Sequence, residues 1–228
     1  KVYHHRNDDI KAWTRRPWGP RSDWYGGWCA YRDIESKNII DRQRAAGNRR
    51  ARGPAFEAAD VPDNKYPDGM IAEKAIADLR ELKSAGRPFF LATGFMKPHL
   101  PFNAPKKYWD LYEHDEIDLA DNSYRPKDAP NAAFHNSGEL RAYAGIPRKG
   151  RVSKETERNL VHGYYACVSY TDAQIGNVLR ELDRLGLRDN TIVILWGDHG
   201  WNLNEHGLWC KHCNFNTSLQ VPMIVSAP

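Results

Sequence analysis

The 228 residues carry a formal net charge of +4, with 41% hydrophobic and 27% charged residues, a globular balance rather than that of a disordered or fibrous chain. The mild basic excess suits an anionic ligand but is far from a nucleic-acid signature, and no RNP, zinc-finger or helix-turn-helix spacing accompanies it. No apolar run approaches the roughly 18 residues that a membrane-spanning helix needs, and four cysteines (Cys29, Cys167, Cys210, Cys213) make no disulfide framework in a chain this long.

In chain order, residues 1 to about 60 show little regular pattern. Trp13, Trp18, Trp24, Trp28 and the turn signal Pro17-Trp-Gly-Pro20 read as a long loop with short extended pieces. Arg42 to Arg52 holds five arginines, the pattern of a solvated face. Order begins at Pro67-Asp68-Gly69, with Asp68 as the expected N-cap. Ile71, Ala75, Ile76, Leu79 and Leu82 at helical spacing follow, and Gly86 is the expected stop. Pro88 to Phe95 then reads as a buried strand whose end presents Lys97 and His99.

Residues 100 to 150 are punctuated by prolines, with a short helical turn expected near Lys106 to Tyr112. A second long helix is expected from about Lys154 to Leu185, capped by Ser153, with Ile175, Val178, Leu179, Leu182 and Leu185 as its inner stripe. Thr191 then opens the most informative stretch. Ile192 to Trp196 is wholly apolar and rich in β-branched residues, as a strand buried on both faces of a parallel sheet would be, and it delivers Asp198 and His199 side by side. Val221 to Pro228 reads as one more buried strand. Two helix–Gly–strand–loop units thus end in polar groups, and in an open α/β sheet ligands bind beyond the carboxyl ends of the strands.

An aspartate, several histidines and lysines at such an edge suggest an anionic ester as substrate. Lysines give point charge to sulfate or phosphate oxygens, a carboxylate invites a divalent cation, and histidine is a natural acid or base near neutral pH. The eight tryptophans and eleven tyrosines, several in polar loops, fit a carbohydrate-facing surface as well as a core. Cys210-Lys-His-Cys213 has CxxC spacing but no second pair, and it does not open a helix after a first strand, which argues against zinc or redox use.

Gly197-Asp-His-Gly-Trp-x-Leu-x-Glu-His-Gly-x-Trp209, with Lys211 and Asn214-Phe215, resembles the type I sulfatases of the alkaline-phosphatase-like superfamily, and within them the iduronate-2-sulfatase group. Phe89-Phe-Leu-Ala-x-Gly-Phe-x-Lys97-Pro-His-x-Pro-Phe102 resembles the group's second signature, and Lys1-Val-Tyr-His4 its Gly-Lys-Val-Phe-His segment. The resemblance implies an α/β fold, a mostly parallel sheet flanked by helices with long loops. Residues 1–228 would form one catalytic domain cut at both ends. It also implies calcium, with Asp198 and His199 as ligands; Lys211 and Lys1 holding the sulfate; Lys1 and His4 beside the nucleophile; and His99 at the sulfate, protonating the departing sugar oxygen. Lys97 could reach an anionic substrate. The expected substrate is a sulfated saccharide, and the expected compartment periplasmic, secreted or lysosomal.

Three departures qualify the match. The family's nucleophile is a formylglycine made from cysteine in a Cys-x-Pro/Ala-x-Arg motif, and Cys29-Ala-Tyr-Arg32 has the wrong spacing. The formylglycine and two further aspartates are expected upstream of Lys1, so this piece alone is expected to be inactive. Asn204 stands where the group usually has glycine, a replacement that tolerates positive φ. The competing readings are a phosphate mono- or diesterase of the same superfamily and a degenerate, non-catalytic glycan-binding module.

Overall fold

The computed structural model describes residues 10–20 and 25–228; Lys1 and His4 lie outside the described residues. The scaffold is the 31-residue helix that the sequence predicts. After α1 (Ile34–Ala45), the 19-residue α2 (Pro67–Ala85) and the short α3 (Lys106–Trp109), helix α4 runs from Lys154 to Arg184. Its N-cap, Ser153, accepts the Thr156 N–H at 3.1 Å, satisfying one of the donors that a helix start leaves free. Gly186, at φ 63°, follows its last turn.

The buried face of α4 differs from the expected stripe. Leu160, Val161, Gly163, Ala166, Cys167, Tyr170 and Gln174 are buried, whereas only Leu182 of the five expected positions is. The helix has different neighbours along its length: α3 and the strands β1 (Phe56–Glu57) and β2 (Phe102–Asn103) as well as α2. A single stripe cannot serve them all. At Gly163 a Cβ would come within 2.7 Å of Trp109 and 2.9 Å of Phe102, so the missing side chain is what lets β2 and α3 approach.

Buried polar groups fix how α2 sits on α4. The Tyr170 hydroxyl accepts from Gly69 N at 2.7 Å and donates to the Asp63 carbonyl at 2.9 Å. Tyr108 Oη and Gln174 Nε2 both donate to Asp63 Oδ2, at 2.7 and 2.9 Å. Asp68 is not the cap of α2, because Tyr66 holds that position. Instead its carboxylate is buried at 1% exposure and accepts the backbone N–H groups of Met96 and Lys97, each at 2.8 Å. Burial pushes its pKa up, and the two N–H bonds oppose that rise.

The first 60 residues hold more order than expected. Helix α1 occupies the middle of that segment, with only Ser36 and Ile40 buried, so it carries almost no amphipathic signal. Glu57, buried in β1, accepts from Arg32 N, Asp33 N and Tyr66 Oη and so ties the entry to α1 to the core. Strand β1 pairs in parallel with β2, Phe56 opposite Phe102, directly after the segment that carries His99.

Three expected strands are corrected. Pro88 to Phe95 forms no ladder among the described residues and Phe90 is exposed. Ile192 to Trp196 does yield β3 (Val193–Trp196), but its partner is β6 (Met223–Ser226), in antiparallel register with Val193 opposite Ser226. Both are mostly exposed rather than buried. Their composition is that of covered strands, yet no described element covers their faces. A short antiparallel pair, β4 (Asn202–Leu203) with β5 (Trp209–Cys210), completes the set. No helix among the described residues is long and apolar enough to cross a membrane.

Replacing Asp68 by Ala orphans the Met96 and Lys97 N–H groups at about 1–3 kcal/mol each. The urea midpoint should fall, and proteolytic cleavage between residues 96 and 101 should speed up. An unchanged midpoint and cleavage rate would show that the loop is held by other means.

Candidate active site

The loop 96–101 is held from both sides. Asp68 fixes its start, and β2 fixes its end through Phe102 N donating to Ala55 O at 2.7 Å. Lys97 folds back on this loop, its Nζ donating to the carbonyls of Pro101 and, at 3.2 Å, His99. Lys97 therefore braces the turn, its ammonium directed at the carbonyls of its own loop. His99 Nδ1 lies 2.7 Å from the Leu100 carbonyl, which fixes the proton on that nitrogen and turns Nε2 away from the backbone. The ring is flanked edge-on by Trp28 and Trp201, with centroids 5.3 and 5.5 Å away. Trp28 is 40% exposed and Trp201 is buried.

The second element is the loop from Gly197 to Cys213. Gly200 packs so tightly against residues 217 to 220 that a Cβ would meet the Thr217 carbonyl at 2.0 Å. Fully buried Asn202 donates to Cys210 O and to Ser218 Oγ, both at 2.7 Å, and accepts from Thr217 Oγ1. Asn204 has φ 84°, so the position does require the left-handed region, and asparagine fills it while donating to Glu157 at 2.6 Å. Cys210 also adopts positive φ, 72°, unusual for its type, and it stands directly before Lys211.

Lys211, 15% side-chain exposed, lies over the Trp201 ring at 4.7 Å and within 2.8 Å of His99 Nε2. Between the two stands a residue that the sequence reading did not single out. Glu139 Oε1 is 2.9 Å from His99 Nε2 and 3.0 Å from Lys211 Nζ. Burial alone would raise the Glu139 pKa, but hydrogen bonds from His99 and Lys211 outweigh it and bring the value down to about 2. The loop carrying Glu139 is anchored by buried Leu140, by Ser137 Oγ accepting Trp209 N at 3.1 Å, and by Arg141. Arg141 donates to the carbonyls of Asn136, Pro147 and Gly150 at 2.6, 2.6 and 2.8 Å. Glu139 lies in a proline-rich loop of ordinary composition, so no local pattern marked it.

Asp198 and His199 lie beside this cluster through Trp201, on which the His199 ring stacks with a centroid distance of 6.2 Å. His199 Nδ1 faces the Gly200 carbonyl at 2.9 Å, so it carries the proton and Nε2 keeps a lone pair. That lone pair and the exposed Asp198 carboxylate, 3.7 Å apart, have the donor chemistry of part of a cation site. No group of three or more possible metal ligands occurs among the described residues, so these two would form only part of a coordination shell. Cys29, Cys167 and Cys210 are buried, and burial raises all three thiols, Cys167 to about 12. Cys213 Sγ lies near Asn202 and Ser218 rather than opposite another thiol.

Four of the six predicted site residues are described; the fold brings His99, Lys211 and His199 around Trp201, with Asp198 beside His199. Comparison with known proteins agrees in kind. The family model described as Sulfatase matches residues 8–228. Mouse iduronate 2-sulfatase is 33% identical over the whole chain, which covers 42% of that protein; choline-sulfatase of Rhizobium meliloti is 32% identical over 75% of the chain, 33% of that protein. The chain therefore belongs to the sulfatase family. It spans less than half the length of these relatives. The phosphonate monoester hydrolase of Silicibacter pomeroyi shares the fold, with TM-score 0.63 at 19% identity, over 89% of this chain and 39% of that one. The α/β, alkaline-phosphatase-like fold class stands, although of the three described strand pairs only β1–β2 is parallel.

Because the folded-state pKa of Glu139 lies below its ordinary value of 4.5, its ion pairs stabilise the fold fully above about pH 4.5. That contribution is lost as pH falls through the interval down to about 2. Urea midpoints of the native chain and the Glu139→Gln variant should differ at pH 5 and converge as pH falls from about 4.5 towards 2. A constant difference down to pH 2 would contradict the ion-pair assignment.

Proposed function

We propose that this chain supplies the sulfate-holding and leaving-group half of a sulfatase active site, in a protein that hydrolyses sulfate esters of a sulfated saccharide. The observation that supports this most directly is the meeting of Lys211 Nζ and His99 Nε2 at 2.8 Å, from segments 112 residues apart, inside two family motifs. Overall, a sulfate monoester and water give an alcohol and hydrogen sulfate. Lys211 binds the sulfate oxygens and offsets charge gathering there as the S–O bond breaks. His99, in its doubly protonated form with Nδ1–H on the Leu100 carbonyl, hands the Nε2 proton to the departing saccharide oxygen, which is a poor leaving group without it. Trp28, exposed beside His99, offers an apolar ring face to the sugar.

Asp198 and His199 would hold calcium, which when bound supplies fixed positive charge to the sulfate. Lys1 and His4 are assigned to the nucleophile's side by their motif alone, and the proposed reaction calls for a formylglycine nucleophile that no Cys-x-Pro/Ala-x-Arg motif in these residues supplies. Residues 1–228 are then part of one catalytic domain. Mouse iduronate 2-sulfatase supports a sulfated saccharide as the substrate class.

Charge favours a sulfate ester over a phosphate monoester, while a monoanionic phosphodiester is not separated from it on this ground. Glu139 pairs with Lys211, so the cluster offers little net positive charge to a dianionic phosphate monoester, whereas a sulfate ester carries one negative charge.

In the whole protein, His99→Ala should lower kcat by about a hundredfold on a saccharide sulfate but far less on an aryl sulfate, whose oxygen leaves unaided. Steady-state assays on the two substrates measure this. Equal losses would remove His99 from the acid role. Faster turnover of the matched phosphate monoester by the native protein would favour the phosphatase reading.

A further inference from the structure

In the doubly protonated form that the acid role requires, His99 is a second cation 2.8 Å from Lys211 in a partly buried site, an arrangement that Coulomb repulsion would open. One carboxylate oxygen, Glu139 Oε1, lies within 3.0 Å of both. The other, Oε2, has no hydrogen-bond partner among the described residues; His212 Nε2 is 3.4 Å away and that side chain is exposed. The carboxylate's close contacts are therefore with His99 and Lys211. Its backbone is anchored independently, through Leu140, Ser137 and Arg141. A mobile surface acid would not hold two catalytic groups in place, but a clamped one can.

We infer that Glu139 is a positioning residue for the reaction assigned above: its carboxylate holds the acid and the sulfate-binding cation together in the free enzyme, so that one ester meets both at once. The inference rests on the sulfatase reading of His99 and Lys211. Glu139 acts through these two and need not touch the substrate. Its presence has a second consequence, because an arriving sulfate must share Lys211 with a negative charge already there. Losing the carboxylate should therefore misplace His99, and so slow chemistry, without weakening the hold on a free anion. A residue that served only to stabilise the loop would lose both together.

The test compares Glu139→Gln, Glu139→Ala and His99→Ala in the whole protein, using a saccharide sulfate, an aryl sulfate and inorganic sulfate as probes. Glu139→Gln should lower kcat on the saccharide sulfate about tenfold or more and on the aryl sulfate by less than about threefold. Its affinity for inorganic sulfate, measured by calorimetry, should be equal to or tighter than that of the native protein. Added formate should restore part of the activity of Glu139→Ala, because a small carboxylate can fill the space left by the side chain. Equal losses on both esters, weaker sulfate binding or no rescue by formate would overturn the inference. If His99→Ala keeps its leaving-group dependence in that case, the site assignment survives. If His99→Ala shows no such dependence, the site assignment falls and the inference with it.

Discussion

One carboxylate oxygen, Glu139 Oε1, joins three segments that the chain keeps far apart: the loop after residue 95, the turn before Leu140, and the stretch following β5. Its partners, an ammonium and an imidazole that becomes a second cation in the protonated form the proposed acid role requires, would then repel one another at 2.8 Å. Everything that holds those segments can be read as support for this junction. Asp68 grips the first through two backbone N–H groups, Arg141 folds the second by donating to three carbonyls, and Asn202 fastens the third to Ser218 and Cys210. Each support is a buried or anchored polar group with its partners satisfied, the condition under which such networks rigidify rather than destabilise.

Beneath the junction, α4 acts as a common floor. Tyr170 and Gln174 hold Asp63 and the start of α2, and Gly163 admits Phe102 and Trp109. Because β2 begins two residues after Leu100, the packing of Phe102 on α4 also sets the position of His99. A change of one methyl group at Gly163 would thus reach the site through β2 without touching any polar group in it.

Much of this was legible in the sequence, for identifiable reasons. The bounds of α4 follow from Ser153 and Gly186, whose capping chemistry is local. The motif around Asp198 is local too, and Asn204 was read correctly as a residue that tolerates positive φ. Helix α1 was missed because only two of its positions are buried, leaving no periodic signal. The exposed strands β3 and β6 were read as covered because composition records what a strand is suited to pack against, not what lies on it. Glu139 was invisible for the opposite reason. Its partners lie 40 and 72 residues away, and an isolated glutamate in a loop looks like any solvated charge. Lys97, to which its motif assigned no definite role, turns its charge inward to its own turn.

The claim that Lys211 and His99 form one anion site over Trp201 is open to direct view. A crystal structure of the whole protein soaked in inorganic sulfate tests it. Sulfate oxygens within hydrogen-bond distance of both Lys211 Nζ and His99 Nε2 are the expected result. Sulfate bound elsewhere, with Glu139 still closed on both groups, would contradict it.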